Sequence, residues 1–262
     1  MPSEKREGVQ SLSRALDLLE ALAASDERPL SELAEETGMI PSTAHRLLAS
    51  LGQRGYVSQN PESGRYRIGF KLLELATAIT SRRDRLRAAA RPHLEALRDR
   101  TGESVNLVVL DRLDVVYLDQ VEGNRSVRMF TQVGRTVPAH TTGAGKAILA
   151  GRPADEVARL YADDAVFAPL TARTITNAID LDRALERVRR DGFAVDDEEH
   201  EEGVGCVASA IRDGDGQAIA AISVSGPSSR MITGSTAELG REVERHAAEV
   251  TAALAERAPA TA

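Results

Sequence analysis

Leu30-Ser-Glu-Leu-Ala-Glu-Glu-Thr-Gly38 is followed by Met39-Ile-Pro41, then by Ser42-Thr-Ala-His-Arg-Leu-Leu-Ala-Ser-Leu51, then by Gly55-Tyr-Val57, a polar turn and Arg65-Tyr-Arg67. The spacing predicts a short helix, a tight turn, a second helix and a β-hairpin, the layout of a winged helix-turn-helix. Ser31 suits the cap of the first helix, because a hydroxyl accepts from the unpaired N–H groups of a first turn. Gly38 suits its end, where a left-handed residue closes the last turn. Pro41 fits the first position of the second helix, where its missing N–H would have no partner anyway. Ala44, Leu47, Leu48 and Leu51 recur at i, i+3, i+4 and i+7 and give that helix one apolar face. Ser42, Thr43, His45 and Arg46 are then the candidates to meet phosphates and base edges. The competing reading is an ordinary helical hairpin with a solvated face.

Three neighbours favour DNA binding. Residues 9–24 carry Val9, Leu12, Leu16, Leu19 and Leu22 on one stripe, which predicts a helix forming the third wall of a trihelical core. Residues 56–68 place apolar strand positions around a turn at 60–64, which makes Arg65 and Arg67 wing residues. Between residues 38 and 73, Arg46, Arg54, Arg65, Arg67 and Lys71 face Glu62 alone, a local balance of +4. The whole chain has 33 Lys+Arg against 40 Asp+Glu, net −7. A basic surface on an acidic protein is a focused phosphate-binding patch rather than a general polycation.

The 262 residues suffice for about two domains with cores of their own. Aromatics are only 3% and Trp is absent, so these cores must be aliphatic and Ala-rich. The lone cysteine, Cys206, excludes an internal disulfide and fits a reducing cytoplasm. The N-terminus is polar and has no apolar signal region, and no apolar run approaches the roughly 20 residues that span a bilayer. A cytoplasmic protein without membrane attachment is expected. The tail at 257–262 is expected to fray.

Beyond the wing, residues 70–79 read as a helix, a charged stretch at 81–87 marks a domain boundary, and residues 86–101 read as another helix closed by Gly102. The expected division is a DNA-binding domain at 1–69, a linker helix at 70–85 and a second domain at 86–262. In that second domain, strands are predicted at 104–111, 115–121, 127–133, 193–199, 205–213 and 218–225, and helices at 142–150, 154–161, 180–190 and 236–256. An antiparallel-type sheet of about six strands, flanked by helices, makes an α+β sensor-like domain.

Four features of this domain converge on a small anionic ligand. Gly143-Ala-Gly145 opens a helix, where backbone N–H groups and glycine permit close approach of an anion; the alternative is a plain glycine helix start. It is not a nucleotide P-loop, since His140 stands where the first Gly is needed and Ala147 follows Lys146 in place of Ser or Thr. Ser223 and Ser225 lie two apart on an apolar strand, so both hydroxyls share one face and need partners, from a ligand or from solvent and local backbone. Cys206 lies on a strand with Val207 and Ile211, where a cysteine usually just fills the core. Residues 196–202 form a dense acidic run, expected to be mostly solvated, with Asp196 the exception at a strand exit. No spacing among His140, His200 and the acidic run matches a zinc site, and no metal or cofactor is expected.

With these residues in view, the sequence resembles the isocitrate lyase regulator (IclR) family of bacterial transcription factors along nearly its whole length. The resemblance rests on Val9-Gln-Ser-Leu-Ser-Arg-Ala-Leu-Asp-Leu-Leu19, Ser42-Thr-Ala-His-Arg-Leu-Leu48, Tyr66-Arg-Ile-Gly69, His140-Thr-Thr-Gly-Ala-Gly-Lys-Ala147, Asp196-Asp-Glu-Glu-His200 and Ala221-Ile-Ser-Val-Ser-Gly-Pro227. It departs in the turn, where many members carry Pro one position earlier than Pro41. The resemblance implies an N-terminal winged helix, a linker helix, a C-terminal GAF-like effector domain, and homodimers or homotetramers on palindromic double-stranded operators, with the first helix and the linker helix as dimer surfaces. By position, it places the effector pocket at Met129, Val137, Gly143, Ala144, Asp196, Cys206, Ser223 and Ser225. The function it implies is a ligand-responsive regulator, a repressor modulated by a small carboxylate such as glyoxylate or pyruvate. Its alternative is a regulator of the same family that senses an aromatic or sugar acid and acts as an activator. An enzyme with Cys206 as nucleophile is disfavoured, because nothing brings His140 or His200 to it and no glycine-rich oxyanion motif flanks it.

Overall fold

The computed structural model describes residues 9–162 and 167–256, with the side chains of 78–82 excepted. The first residues of the chain, the tail at 257–262 and the side chain of Ile79 lie outside this description. The chain divides into two compact units, Met1–Arg83 and Asp84–Ala262.

In the first unit, α1 (Gln10–Ala23), α2 (Leu30–Glu36) and α3 (Pro41–Gln53) precede a hairpin of β1 (Val57–Gln59) and β2 (Tyr66–Ile68). The core is Leu18, Ala21, Leu22, Leu33, Ala34, Met39, Ala44, Leu48, Val57 and Tyr66, with Leu47 and Leu51 packed at its margin. Pro41 is the first residue of α3, and Gly38, at φ +63°, makes the left-handed turn before it. Two details differ from the sequence reading. Pro29 rather than Ser31 precedes α2, and no side chain caps that helix. The buried face of α1 is Leu18, Ala21 and Leu22. Val9, Leu12 and Leu16, expected in the core, are 69%, 60% and 49% exposed. Periodicity located an apolar stripe but could not say what covers it.

The wing turn is held by its own polar groups. Asn60 Oδ1 accepts from the N–H groups of Glu62 (2.9 Å) and Ser63 (3.3 Å), and Gly64 takes φ +68°. Arg28 extends the hairpin by exchanging two 2.8 Å backbone hydrogen bonds with Tyr66.

The two helices expected at 70–79 and 86–101 are one, α4 (Lys71–Thr101). Its charged middle lacks the Gly or Pro that would stop a helix, so charge alone does not break it. The second unit then holds β3 (Ser104–Asp111), β4 (Asp114–Val121), β5 (Thr136–Pro138), α5 (Gly143–Ala150), α6 (Ala154–Leu160), α7 (Ala178–Asp191), β6 (Ala194–Asp197), β7 (Val204–Arg212), β8 (Ala218–Pro227), α8 (Ser228–Met231) and α9 (Thr236–Glu256). The strand expected at 127–133 is absent, and β5 follows it instead. Segment 127–133 leaves Val127, Phe130 and Val133 exposed, and of its apolar residues only Met129 is half-buried.

The six strands form one antiparallel sheet in the order β5-β4-β3-β8-β7-β6. One face packs Val105, Leu107, Val207, Ile222 and Val224 against Leu94 and Leu97 of α4 and Val243, Ala247 and Val250 of α9. The other packs Val108, Ala208 and Ala221 against α5, α6 and α7. Period-two alternation along β3, β7 and β8 sends neighbouring residues to opposite faces, so the strands are apolar on both sides.

Candidate ligand site and DNA-facing surface

On the α5 side of the sheet, the alternation brings polar side chains into a row. The register pairs Asp196 with Cys206, Cys206 with Ser225, and Ser225 with Ser104, across four adjacent strands. One step along, Ser223 pairs with Asn106. All six are buried. Asn106 donates to Ser223 Oγ and to Ser225 Oγ, both at 3.4 Å, and accepts from Thr131 Oγ1 at 2.8 Å. The two serine contacts with Asn106 are stretched beyond the usual ~2.9–3.0 Å, and both hydroxyls also bond the Cys206 thiol.

The first turn of α5 lies against this row. A Cβ on Gly143 would stand 3.2 Å from Cys206 Sγ and 3.4 Å from the Asp196 nitrogen. Glycine there lets the helix start approach the sheet. Thr142 caps α5 by accepting from Gly145 N–H at 3.0 Å. The N–H groups of Gly143 and Ala144 belong to the turn in which a helix has no internal acceptors. Val137 and Ala144 share the apolar cluster that contains Cys206. Met129 is half-buried, and its carbonyl accepts from Ser104 Oγ at 2.6 Å. Gly143, Ala144, Asp196, Cys206, Ser223 and Ser225 therefore meet at the row, Met129 reaches it through Ser104, and Val137 lies in the same apolar cluster as Cys206. Asn106, Ser104, Thr131 and Thr142 were not anticipated. The signal for two of them was present, since Ser104 and Asn106 interrupt an apolar strand at spacing two, as Ser223 and Ser225 do.

The electrostatics of the row follow from burial. Asp196 is pushed up to about 7, first by burial and further by Glu199, while Lys146 pulls the other way. Burial pushes the Cys206 thiol up to about 11, and Asp196 adds to this. A thiol so disfavoured as thiolate is not a ready nucleophile. The acidic run, expected to be mostly solvated apart from Asp196, is only partly so: residues 197–200 are half-buried, and Glu201 and Glu202 are exposed. Glu199 pairs with the buried Lys146 ammonium, which also donates to the Val195 carbonyl at 2.7 Å. Glu199 N–H donates to Asp196 Oδ1 at 2.8 Å. His140 is buried beside Tyr161 and Phe167, and burial with the nearby Lys146 lowers it to about 4. His200 Nδ1 meets Thr141 Oγ1 at 3.0 Å. Neither histidine is paired with Cys206.

In the first unit, Ser42, His45 and Arg46 are exposed at the start of α3 and Thr43 is half-buried, on the side away from Ala44 and Leu48. In the wing, Arg65 is exposed. Arg67 is held by Ser58 Oγ at 3.0 Å and stands 3.7 Å from Glu27.

A winged helix and a separate sheet domain with a buried polar row are the parts of a DNA-binding transcription regulator with a sensor domain. The pattern of the IclR helix-turn-helix domain matches residues 11–61, and that of the bacterial transcriptional regulator IclR C-terminal domain matches 77–252. The acetate operon repressor of Salmonella typhimurium is 39% identical over 94% of this chain and 90% of its own. The transcriptional repressor IclR of Escherichia coli is 38% identical over the same shares. The crystal structure of Thermotoga maritima IclR superposes with a TM-score of 0.74 at 33% identity, covering 94% of this chain and 99% of that one. An IclR homologue from Microbacterium hydrocarbonoxydans, solved in complex with 4-hydroxybenzoate, shares the fold at TM-score 0.76 and 23% identity, covering 94% and 99%. The chain belongs to the IclR family of bacterial transcriptional regulators. It is a regulator and not an enzyme, and among its described residues no helix is long and apolar enough to cross a membrane.

Proposed function

We propose that this regulator is a repressor whose operator binding is modulated by a small carboxylate, glyoxylate or pyruvate, held at the buried row. The observation that carries the reading is the buried polar row itself, two serine hydroxyls that bond Asn106 at 3.4 Å and the Cys206 thiol, set beside a helix start and a protonatable carboxyl. The carboxylate meets the N–H groups of Gly143 and Ala144, where the helix start favours negative charge. Ser223, Ser225 and Cys206 bond the remainder, and Met129 and Val137 close the apolar side. Asp196 joins as a neutral acid, since an ionised carboxyl would repel the ligand. The names of the Salmonella and Escherichia relatives support repression.

A second reading follows from the 4-hydroxybenzoate carried by the Microbacterium homologue. Here an aromatic acid takes the same place, and the chain acts as an activator. A thermal-shift series with glyoxylate, pyruvate, a sugar acid and 4-hydroxybenzoate separates the two, because a ligand that binds only the native state raises its stability. The first reading requires the largest shift from glyoxylate or pyruvate, and a shift from 4-hydroxybenzoate alone refutes it.

DNA is read by Ser42, Thr43, His45 and Arg46, with Arg65 and Arg67 on phosphates. The working form is a homodimer or homotetramer on a palindromic operator, because one winged helix contacts too little DNA for strong selectivity. The exposed Val9, Leu12 and Leu16 stripe of α1 supports self-association there. Sedimentation giving a monomer, with one chain bound per operator, would rule this out.

A further inference from the structure

Away from the polar row, α4 and α9 bring together His93, His246 and Glu249, a group with the proportions of a metal site. His246 and Glu249 are three apart on α9 and so share a face, and His93 comes from α4. His93 Nδ1 stands 3.0 Å from His246 Nδ1 and 3.3 Å from Glu249 Oε2, and His246 Nδ1 stands 3.9 Å from the same oxygen. Donors on a tetrahedral ion with bonds of about 2.0–2.1 Å lie roughly 3.3–3.4 Å apart. The three donor atoms thus stand close to that spacing, with the His93–Glu249 edge matching it and the His246–Glu249 edge about half an ångström wider, a gap that a turn of the exposed Glu249 carboxylate closes. His246 is buried, His93 is half-buried and Glu249 is open to solvent, which gives an entry path and a free fourth position.

We propose that His93, His246 and Glu249 form a site for a divalent transition-metal ion, with zinc the preferred occupant, that clips α9 to α4. Two imidazoles and one carboxylate suit zinc or cobalt and suit magnesium or calcium poorly. Arg245 Nη2 lies 3.0 Å from His246 Nε2, and Arg245 Nη1 pairs with Glu249 Oε1 at 2.6 Å. With Arg245 donating to Nε2, the His246 proton resides on Nδ1 and is shared with His93 Nδ1. Metal entry replaces that shared proton. The proton moves to His246 Nε2, Arg245 turns off the ring, and no net proton is gained or lost at neutral pH. Arg245 is therefore the internal competitor of the ion.

The two histidines lie 153 positions apart, so no local spacing could announce them. The clip acts on α4, the helix in which the first unit ends and the second begins.

The test titrates metal-free, full-length protein with Co2+ and Zn2+ by calorimetry and follows the visible absorption of Co2+. Wild type should bind one ion per chain, with the intense visible bands of tetrahedral cobalt and no near-ultraviolet thiolate band, which excludes Cys206 as a ligand. Glu249→Gln, at an exposed position, should weaken binding about tenfold or more. His93→Ala should do the same, checked against its metal-free melting temperature. Arg245→Ala should tighten binding, an outcome that a purely structural role for the cluster does not produce. Absence of saturable binding by wild type, unchanged affinity in Glu249→Gln and His93→Ala, or weaker binding in Arg245→Ala would each overturn the proposal.

Discussion

The reading helix α3 and the buried polar row of the sheet solve opposite problems. On α3 the side chains proposed to meet DNA point out, and their positions follow from a local period of 3.6 residues on a helix thirteen residues long. In the sheet the side chains proposed to hold the effector point in, and four strands spread between residues 104 and 225 each supply one or two members of the row. The surface site can exchange residues with little cost to folding. The buried one couples ligand chemistry to stability, because each polar group there must be neutralised or bonded.

The largest effect that separates the regions is in the core of the first unit. Leu48→Ala truncates a fully buried side chain and should cost about 2–5 kcal/mol there. Operator binding should collapse while calorimetric binding of the effector by the second unit persists. Loss of both together would show that the units are not energetically separate.

The next effect lies in the row. In the folded protein Asp196 holds its proton to about pH 7, whereas its ordinary value is 3.8. Between those values the native state binds more protons than the unfolded chain, so stability from this group is fullest below about 4 and is lost as pH rises toward 7. The slope is at most about 1.4 kcal/mol per pH unit. Asp196→Asn should remove it, which denaturant melts of both proteins between pH 4 and 8 would measure. Parallel pH profiles would contradict burial as the cause.

Arg46→Ala comes third. Operator affinity should fall by about 1–3 kcal/mol if the guanidinium reads a base. Arg65→Ala and Arg67→Ala should weaken binding to all sequences alike and make the salt dependence shallower. Gel-shift titrations at several salt concentrations distinguish the two patterns.

What could be read from sequence divides along the same line. The turn at Gly38 and Pro41, the buried Ala44 and Leu48, and the hydroxyl pair Ser223 and Ser225 were legible because periods of 3.6 and 2 assign faces without knowledge of partners. Strand register was not, so Asn106, which spans both serines, was missed although it sits in an apolar strand. Coverage was not legible either. The Val9, Leu12 and Leu16 stripe has core periodicity but lies exposed, and segment 127–133 has strand composition but meets β3 through side-chain bonds at Ser104 and Asn106 rather than through a strand ladder. The joined helix α4 failed for a third reason: a run of charges was read as ending one helix and starting another although it holds no Gly or Pro, while the division between the two units does fall inside that run, at Arg83 and Asp84.

The central claim is that the buried row is the effector site, and calorimetry with glyoxylate and pyruvate tests it most directly. Wild type should bind, with affinity falling as pH rises through about 7 and Asp196 ionises. Ser223→Ala and Ser225→Ala should each weaken binding while leaving operator affinity without effector unchanged. If neither small acid binds, while 4-hydroxybenzoate binds wild type and both serine variants equally, the row is not the site.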